Sequence, residues 1–298
     1  MRFGINEIRF VRDHLKNVVT LQADRSLYLA LAEVNRRHGQ ILPTAGEKGP
    51  SVALTPFELR VFSQNGEDGV LAEILRRIGA PGRFFVEFGV ESGREGNCVY
   101  LADVEDWRGL FMEGDGACFR QLAQKYAELP RITTVQAMVA PDNVESLFAG
   151  ANVPEQPDVL SMDIDGSDYW VWEAIRDYQP RVVIVEYNSA IDPRRPLVQP
   201  KAQRGWDETE YYGASIASLE RLGESKGYRL VHTELSGVNA FFVRSDLAAD
   251  RFPASDDVAR RGAPNYFQRG YRHRPANSSR SYLDLDSGDL VSVTEAHG

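Results

Sequence analysis

The chain has 298 residues, 43% of them hydrophobic and 26% charged, with 25 glycines and 15 prolines. That mix excludes collagen-like and compositionally disordered chains, and no apolar run approaches the about 18 residues of a membrane span, so no membrane partner is expected. The net charge is −9 and uneven: residues 51–250 carry 19 Lys and Arg against 32 Asp and Glu, which would repel a phosphate backbone and argues against a nucleic-acid partner.

In chain order, Ile5, Ile8, Val11, Leu15, Val18 and Val19 recur at helical spacing, which predicts an amphipathic helix over 5–38 that packs on the main domain or on a second subunit. Residues 40–56 read as a Pro- and Gly-rich linker. Strands and helices then alternate. Helices are expected over 67–78, 97–101, 117–127, 144–148 and 169–175, and strands over 83–88, 108–113, 132–139, 159–163 and 182–186. This alternation predicts an α/β domain with a mostly parallel sheet and helices on both faces. A polar insertion at 191–212 interrupts it and suits a lid or substrate loop. A helix at 216–227 follows, then two strands, 228–233 and 240–244, joined by a turn at Ser236-Gly237 as an antiparallel hairpin. From 250 the chain is polar and reads as a tail. The organisation expected is thus a helical extension with linker (1–55), one catalytic domain (56–249) and a C-terminal tail (250–298).

The N-terminus MRFGINEIRF has no apolar signal core, and the two cysteines, Cys98 and Cys118, cannot build a disulfide framework; a reducing cytoplasm is the expected location. The cysteines also lack the paired spacing of a zinc site, so buried thiols are expected.

The first strand ends in Glu87-Phe88-Gly89-Val90-Glu91-Ser92-Gly93. Glycine there lets a ligand approach the backbone at the central crevice of such a sheet. The spacing is not G-x-G-x-x-G, which argues against a nicotinamide dinucleotide. A carboxylate at 87 suits a cationic amine better than a pyrophosphate. Glu113 ends the next strand, where an acid can accept both ribose hydroxyls of a nucleoside. Together these features favour S-adenosylmethionine as cofactor.

On these residues the segment from about 60 to 245 resembles the class I S-adenosylmethionine-dependent methyltransferases, Rossmann-like folds with a seven-stranded, mostly parallel sheet. The hairpin matches their reversed last strand. More narrowly, Phe62-Ser63-Gln64-Asn65-Gly66-Glu67-Asp68-Gly69 and Asp163-Ile164-Asp165-Gly166 are similar to blocks of the FkbM-like and macrocin (TylF-like) O-methyltransferases. The resemblance implies that Glu87, Gly89 and Gly93 line the methionine half of the cofactor and that Glu113 holds the ribose. Ser63 and Gln64 stand either as cofactor contacts or as caps of the first domain helix.

A second group falls at the ends of the fourth and fifth strands: Asp163, Asp165, Glu186 and Asn188. Ends of neighbouring parallel strands face one crevice, and these hard oxygen donors suit Mg²⁺ or another divalent cation. The competing reading is that the two aspartates only bind the turn at Gly166 or cap the helix after Ser167. The resemblance to catechol and macrocin O-methyltransferases implies a metal at this place, with Asp163 in catalysis. His232, inside a strand, is the candidate neutral-pH base or a structural histidine. Tyr187, Tyr211, Tyr212 and Asn239 are the candidate acceptor-side residues, the aromatics for stacking on a ring or for anchoring the insertion. The expected acceptor is a polar small molecule, a hydroxyl of a sugar or glycosylated natural product; the alternatives are an aminosugar nitrogen as acceptor, or a nucleotide-fold binding protein without chemistry. A homodimer through the N-terminal helix is left open.

Overall fold

The computed structural model describes residues 54–202, 206–252 and 279–296. The helix expected over 5–38, most of the linker and residues 253–278 of the tail lie outside them. In chain order the elements are α1 (Glu67–Ile78), β1 (Phe84–Phe88), α2 (Val99–Asp103), β2 (Arg108–Glu113), α3 (Gly116–Tyr126), β3 (Ile132–Gln136), α4 (Val144–Gly150), β4 (Val159–Met162), α5 (Asp168–Ala174) and β5 (Val182–Glu186). There follow β6 (Leu197–Val198), α6 (Ile216–Ser225), β7 (Tyr228–Thr233), β8 (Asn239–Arg244), α7 (Ser245–Ala248), β9 (Ser281–Asp284), β10 (Leu290–Ser292) and α8 (Val293–Ala296).

The central sheet has the order β3-β2-β1-β4-β5-β8-β7. β1 to β5 run parallel, and β8 is antiparallel to both β5 and β7. This is the expected Rossmann-like class I methyltransferase fold with its C-terminal antiparallel hairpin. The run Val182-Val183-Ile184-Val185 is apolar on both faces because helices cover both. On one face Val86, Leu110, Leu160, Val183 and Phe242 pack with Trp172 of α5 and Leu219 of α6. On the other, Phe85, Phe111, Val159, Ile184 and Phe241 pack with Val70 and Ile74 of α1. α1 begins with Glu67 and Asp68, ends with Arg76 and Arg77, and stops at Gly79, where φ is +74°; acids at its N-terminus and bases at its C-terminus complement the helix dipole.

Register places the site. Phe88 lies opposite Met112 and Met162, Met162 opposite Val185, and Glu186 opposite Asn239. Glu113, Gly89, Asp163, Glu186 and Asn239 therefore form one row along the sheet edge where the parallel strands β2, β1, β4 and β5 end and the antiparallel β8 begins. Because side chains alternate between faces, this row shares the face that α1 covers.

Three differences from the sequence reading have long-range causes. β3 stops at Gln136 rather than Val139, and Met138 leaves the sheet 75% exposed. The 191–212 insertion contains β6, and the segment read as a tail contains β9 and β10; the three pair as a second sheet in the order β10-β9-β6. A two-residue strand has no period to detect, and its partner lies far along the chain. Tyr282, Leu197, Tyr211 and Val293 form the small apolar core beneath it. Among the described residues no helix is long and apolar enough to cross a membrane.

Candidate active site

The turn after β1 is built on glycine for two reasons. Gly89 has φ +79°, and a Cβ there would lie 1.5 Å from the carbonyl oxygen of Asp163, the residue that follows β4. Gly93 has φ +71°, and its Cβ would meet Leu122 at 2.6 Å. Glu113 holds this turn from the next strand: its Oε2 accepts the Glu91 amide at 2.7 Å, and its Oε1 accepts the Asp115 amide at 2.7 Å. A carboxylate has about four acceptor positions, so two backbone donors leave room for ligand hydroxyls. Glu87, two residues before Gly89 and on the same face of the sheet, binds a different segment. Its carboxyl accepts the amides of Asn97 at 2.7 Å and Cys98 at 3.0 Å, just ahead of α2. Burial pushes its pKa up to about 7 against the pull of those two bonds. Cys98 is buried and Cys118 half-buried.

The 62–69 block folds around its own acids. Asp68 Oδ2 accepts three successive amides, Val61 at 2.8 Å, Phe62 at 2.7 Å and Ser63 at 2.7 Å, while its Oδ1 is buried without a partner. Burial pushes the Asp68 carboxyl up to about 6. Ser63 Oγ accepts the Asp68 amide at 3.1 Å, so the buried Ser63 caps α1 from five residues away, and Gln64 is exposed. Glu67 accepts the amides of Asn65 and Gly66, both at 2.8 Å, and the Asn239 side-chain amide at 2.8 Å. The start of α1 is thereby tied to the first residue of β8.

Asp163, Asp165 and Glu186 each bring a carboxylate oxygen within 4.8 Å of the others. Asp165 (φ +54°) and Gly166 (φ +116°) reverse the chain here. Asp168 fixes the reversal, its two oxygens accepting the Ile164 and Gly166 amides at 3.0 Å each. So it is Asp168 that binds the turn. Burial, and repulsion from Asp168 and Asp165, push Asp163 well above the carboxylate range; burial, and repulsion from Asp163 first, do the same to Glu186. Asp168 is pushed up to about 6, chiefly by burial. Glu186 Oε2 is buried without a hydrogen-bond partner. Three converging carboxylates, one of which keeps an unpartnered buried oxygen, are a donor set that fits a divalent cation.

The other predicted residues are placed differently. Asn188 does not turn to the acids. Its Nδ2 donates to the carbonyls of Glu210 and Tyr212 at 3.0 Å and to the Tyr282 hydroxyl at 3.2 Å, and its Oδ1 accepts the Ala190 amide at 3.0 Å. His232 sits on the edge strand β7, with β8 between it and the acids, and its Nε2 is 2.9 Å from Glu58 Oε1. Tyr187 and Tyr212 are buried, and Tyr187 belongs to the apolar core. Tyr211 packs its ring on Tyr282 and donates to the Ser281 carbonyl at 2.7 Å. Asn239 remains at the site's edge, 2% exposed, with Oδ1 buried and unpartnered.

Sequence reasoning missed the parts of Glu67, Asp68, Asp168 and Glu234. Two acids opening a helix after Gly66 were a visible signal for the first pair. Glu234 accepts the amides of Ser236, Val238 and Asn239, which closes the β7–β8 turn, and burial pushes it up to about 7. Its distance from any motif hid it.

No family model and no curated protein matches the chain. Solved structures resemble it at low identity. The N-terminal domain of EvdMO1 with SAH bound is 15% identical over 71% of this chain and 94% of its own, with a TM-score of 0.39. A putative caffeoyl-CoA O-methyltransferase from Staphylococcus aureus is 13% identical over 58% of this chain and 81% of its own, with a TM-score of 0.40. The citrinin polyketide synthase CMeT domain is 9% identical over 62% of this chain, which spans 55% of that one, with a TM-score of 0.40. At these values the likenesses carry no argument about chemistry, which rests on the site itself.

Proposed function

We infer that this protein is an S-adenosylmethionine-dependent methyltransferase of the FkbM-like or TylF-like kind, acting on a hydroxyl of a polar small molecule with help from a divalent cation. One observation carries the reading. The carboxyl edge of the sheet aligns, in one row, the carboxylate of Glu113, a glycine turn that only Gly89 can make, and the acids Asp163 and Glu186. On this reading the nucleoside and the cation are held on neighbouring strands.

When bound, S-adenosylmethionine supplies a sulfonium-activated methyl group, and a divalent cation lowers the pKa of an oxygen held beside it. The chain's residues do the rest. Gly89 and Gly93 keep the turn free of side-chain bulk, and Glu113 accepts the ribose hydroxyls. Asp163, Asp165 and Glu186 would hold the cation. With a cation held among the acids to offset their mutual repulsion, Asp163 stays ionised, and its free carboxylate oxygen would then take the proton leaving the acceptor hydroxyl. Asn239 offers Oδ1 to an acceptor hydroxyl or ammonium. Much of the acceleration comes from orientation, because the methyl group arrives already activated. The crowd of acids favours a second reading, an amine acceptor, whose ammonium the same carboxylates would attract.

The test is calorimetric titration with adenosylhomocysteine, with and without Mg²⁺. Saturable 1:1 binding is expected in both conditions. Absence of binding in either removes the methyltransferase reading. Binding of adenosylhomocysteine without any heat from Mn²⁺ or Mg²⁺ removes the cation and leaves the transferase.

A further inference from the structure

We propose that Asn188 and Tyr282 are positioning residues for the Asp163–Asp165–Glu186 group, acting through Gln199 on the turn at Asp165–Gly166. The proposal rests on the functional reading above for what the group does, but its geometry is independent of it.

The connection is continuous. Tyr282, fully buried on β9, offers its hydroxyl oxygen to Asn188 Nδ2 at 3.2 Å. Asn188 follows Glu186 by two residues, is 1% exposed, and grips the end of the insertion through the Glu210 and Tyr212 carbonyls. Its own amide donates to the Ala214 carbonyl at 2.8 Å. The next link is Gly213, which Gln199 holds by backbone and side chain: the Gln199 backbone amide donates to the Gly213 carbonyl at 2.8 Å, and the Gly213 amide donates to Gln199 Oε1 at 3.3 Å. The last link is steric. A Cβ on Gly166 would lie 2.5 Å from Gln199 Oε1, so the buried Gln199 side chain is seated directly on the left-handed turn that presents Asp165. Trp170 of α5 anchors the same residue, donating from Nε1 to the Gln199 carbonyl at 2.8 Å.

Hydrogen counting shows why an amide is needed at 188. An amide nitrogen carries two hydrogens, and three acceptors converge on it. The Tyr282 hydroxyl relieves the excess by lying 3.3 Å from the Glu210 carbonyl as a donor of its own. A carboxylate at 188 would face two carbonyls and a hydroxyl with no hydrogen to give. The C-terminal hairpin is fastened to the insertion at further points: the Asp192 amide donates to the Ala296 carbonyl at 3.1 Å, and the Leu285 amide to the Pro196 carbonyl at 3.0 Å. A segment 94 residues beyond Asn188 thus braces the acidic turn, while the turn at Gly89 and Glu113 is held by separate bonds.

The experiment compares wild type, Asn188→Asp and Tyr282→Phe in the full chain. Hydrogen–deuterium exchange is read on peptides covering 162–170, 197–214 and 84–113. Mn²⁺ affinity is read by electron paramagnetic resonance, and adenosylhomocysteine affinity by calorimetry. Asn188→Asp is expected to speed exchange at Ile164 and Gly166 on the order of tenfold, with 84–113 unchanged. It is expected to weaken Mn²⁺ on the order of tenfold and to shift adenosylhomocysteine by less than about twofold. Tyr282→Phe leaves two acceptors for two hydrogens and should move the same readouts in the same direction by less. Faster exchange at 197–214 with none at 162–170, in both variants, overturns the proposal. Should wild type bind no Mn²⁺, the cation reading falls, and the exchange at 162–170 still decides the positioning role.

Discussion

Replacing Gly89 by alanine tests the central juncture of the site, the close approach of β1 to β4. The substitution carries two costs. The first is conformational: φ is +79°, and an L-residue in the left-handed region is disfavoured by about 1–2 kcal/mol, partly offset by about 0.4–1 kcal/mol from the stiffer unfolded chain. The second is steric. The new Cβ would lie 1.5 Å from the Asp163 carbonyl oxygen, where real Cβ atoms keep at least 3.0 Å, and that neighbour is backbone. The strand ends must part, which endangers the bond from the Asp163 amide to the Phe88 carbonyl (3.3 Å) and that from the Gly89 amide to the Met112 carbonyl (3.1 Å). At about 1 kcal/mol net for each bond, the expected loss is about 3 kcal/mol, or on the order of 10 °C in Tm for a domain of this size. Gly227 is the control. Its φ is +80°, and a Cβ there meets nothing within 4 Å, so Gly227→Ala should lose only the conformational part, about 1 kcal/mol. Scanning calorimetry on both variants separates the two costs. Adenosylhomocysteine affinity should also fall for Gly89→Ala and stay unchanged for Gly227→Ala. Equal Tm losses for the two variants would refute the close-approach argument.

Glu186→Gln should abolish Mn²⁺ binding and raise Tm at neutral pH, because it removes a carboxyl whose charged form is disfavoured by burial and by Asp163, Asp168 and Asp165; retained Mn²⁺ affinity would dismiss the three acids as a cation site. Glu113→Ala should weaken adenosylhomocysteine roughly ten- to a hundredfold, since charged acceptors contribute about 1.5–3 kcal/mol, and an unchanged calorimetric Kd would count against the ribose role. Stability should fall as pH rises. Glu87 and Glu234 are held up at about 7 from an ordinary 4.5, so between those values the folded state binds protons the unfolded state has released. The stability lost across that window is on the order of 3 kcal/mol for each carboxyl, is absent below pH 4.5 and is complete above pH 7. Tm measured against pH should decline over this range in wild type and decline less in Glu234→Gln; parallel curves would show that Glu234 titrates normally.

The sequence alone determined the α/β alternation, the hairpin and the places of Glu87, Gly89, Glu113, Asp163 and Glu186. It could do so because strand periodicity is local, and because the ends of parallel strands fall on one edge whatever covers the sheet. What each carboxylate does was decided only by tertiary structure. Glu87 and Glu113 stand at similar strand ends, yet one faces the amides ahead of α2 and the other faces the glycine turn. Asn188 and His232 have the chemistry of a ligand and a base, but their partners, Tyr282 and Glu58, lie 94 and 174 residues away. The small sheet of β6, β9 and β10 was illegible for the same reason. Its stability comes from long-range pairing and a buried Tyr282, while its strands are too short to impose a hydrophobic period.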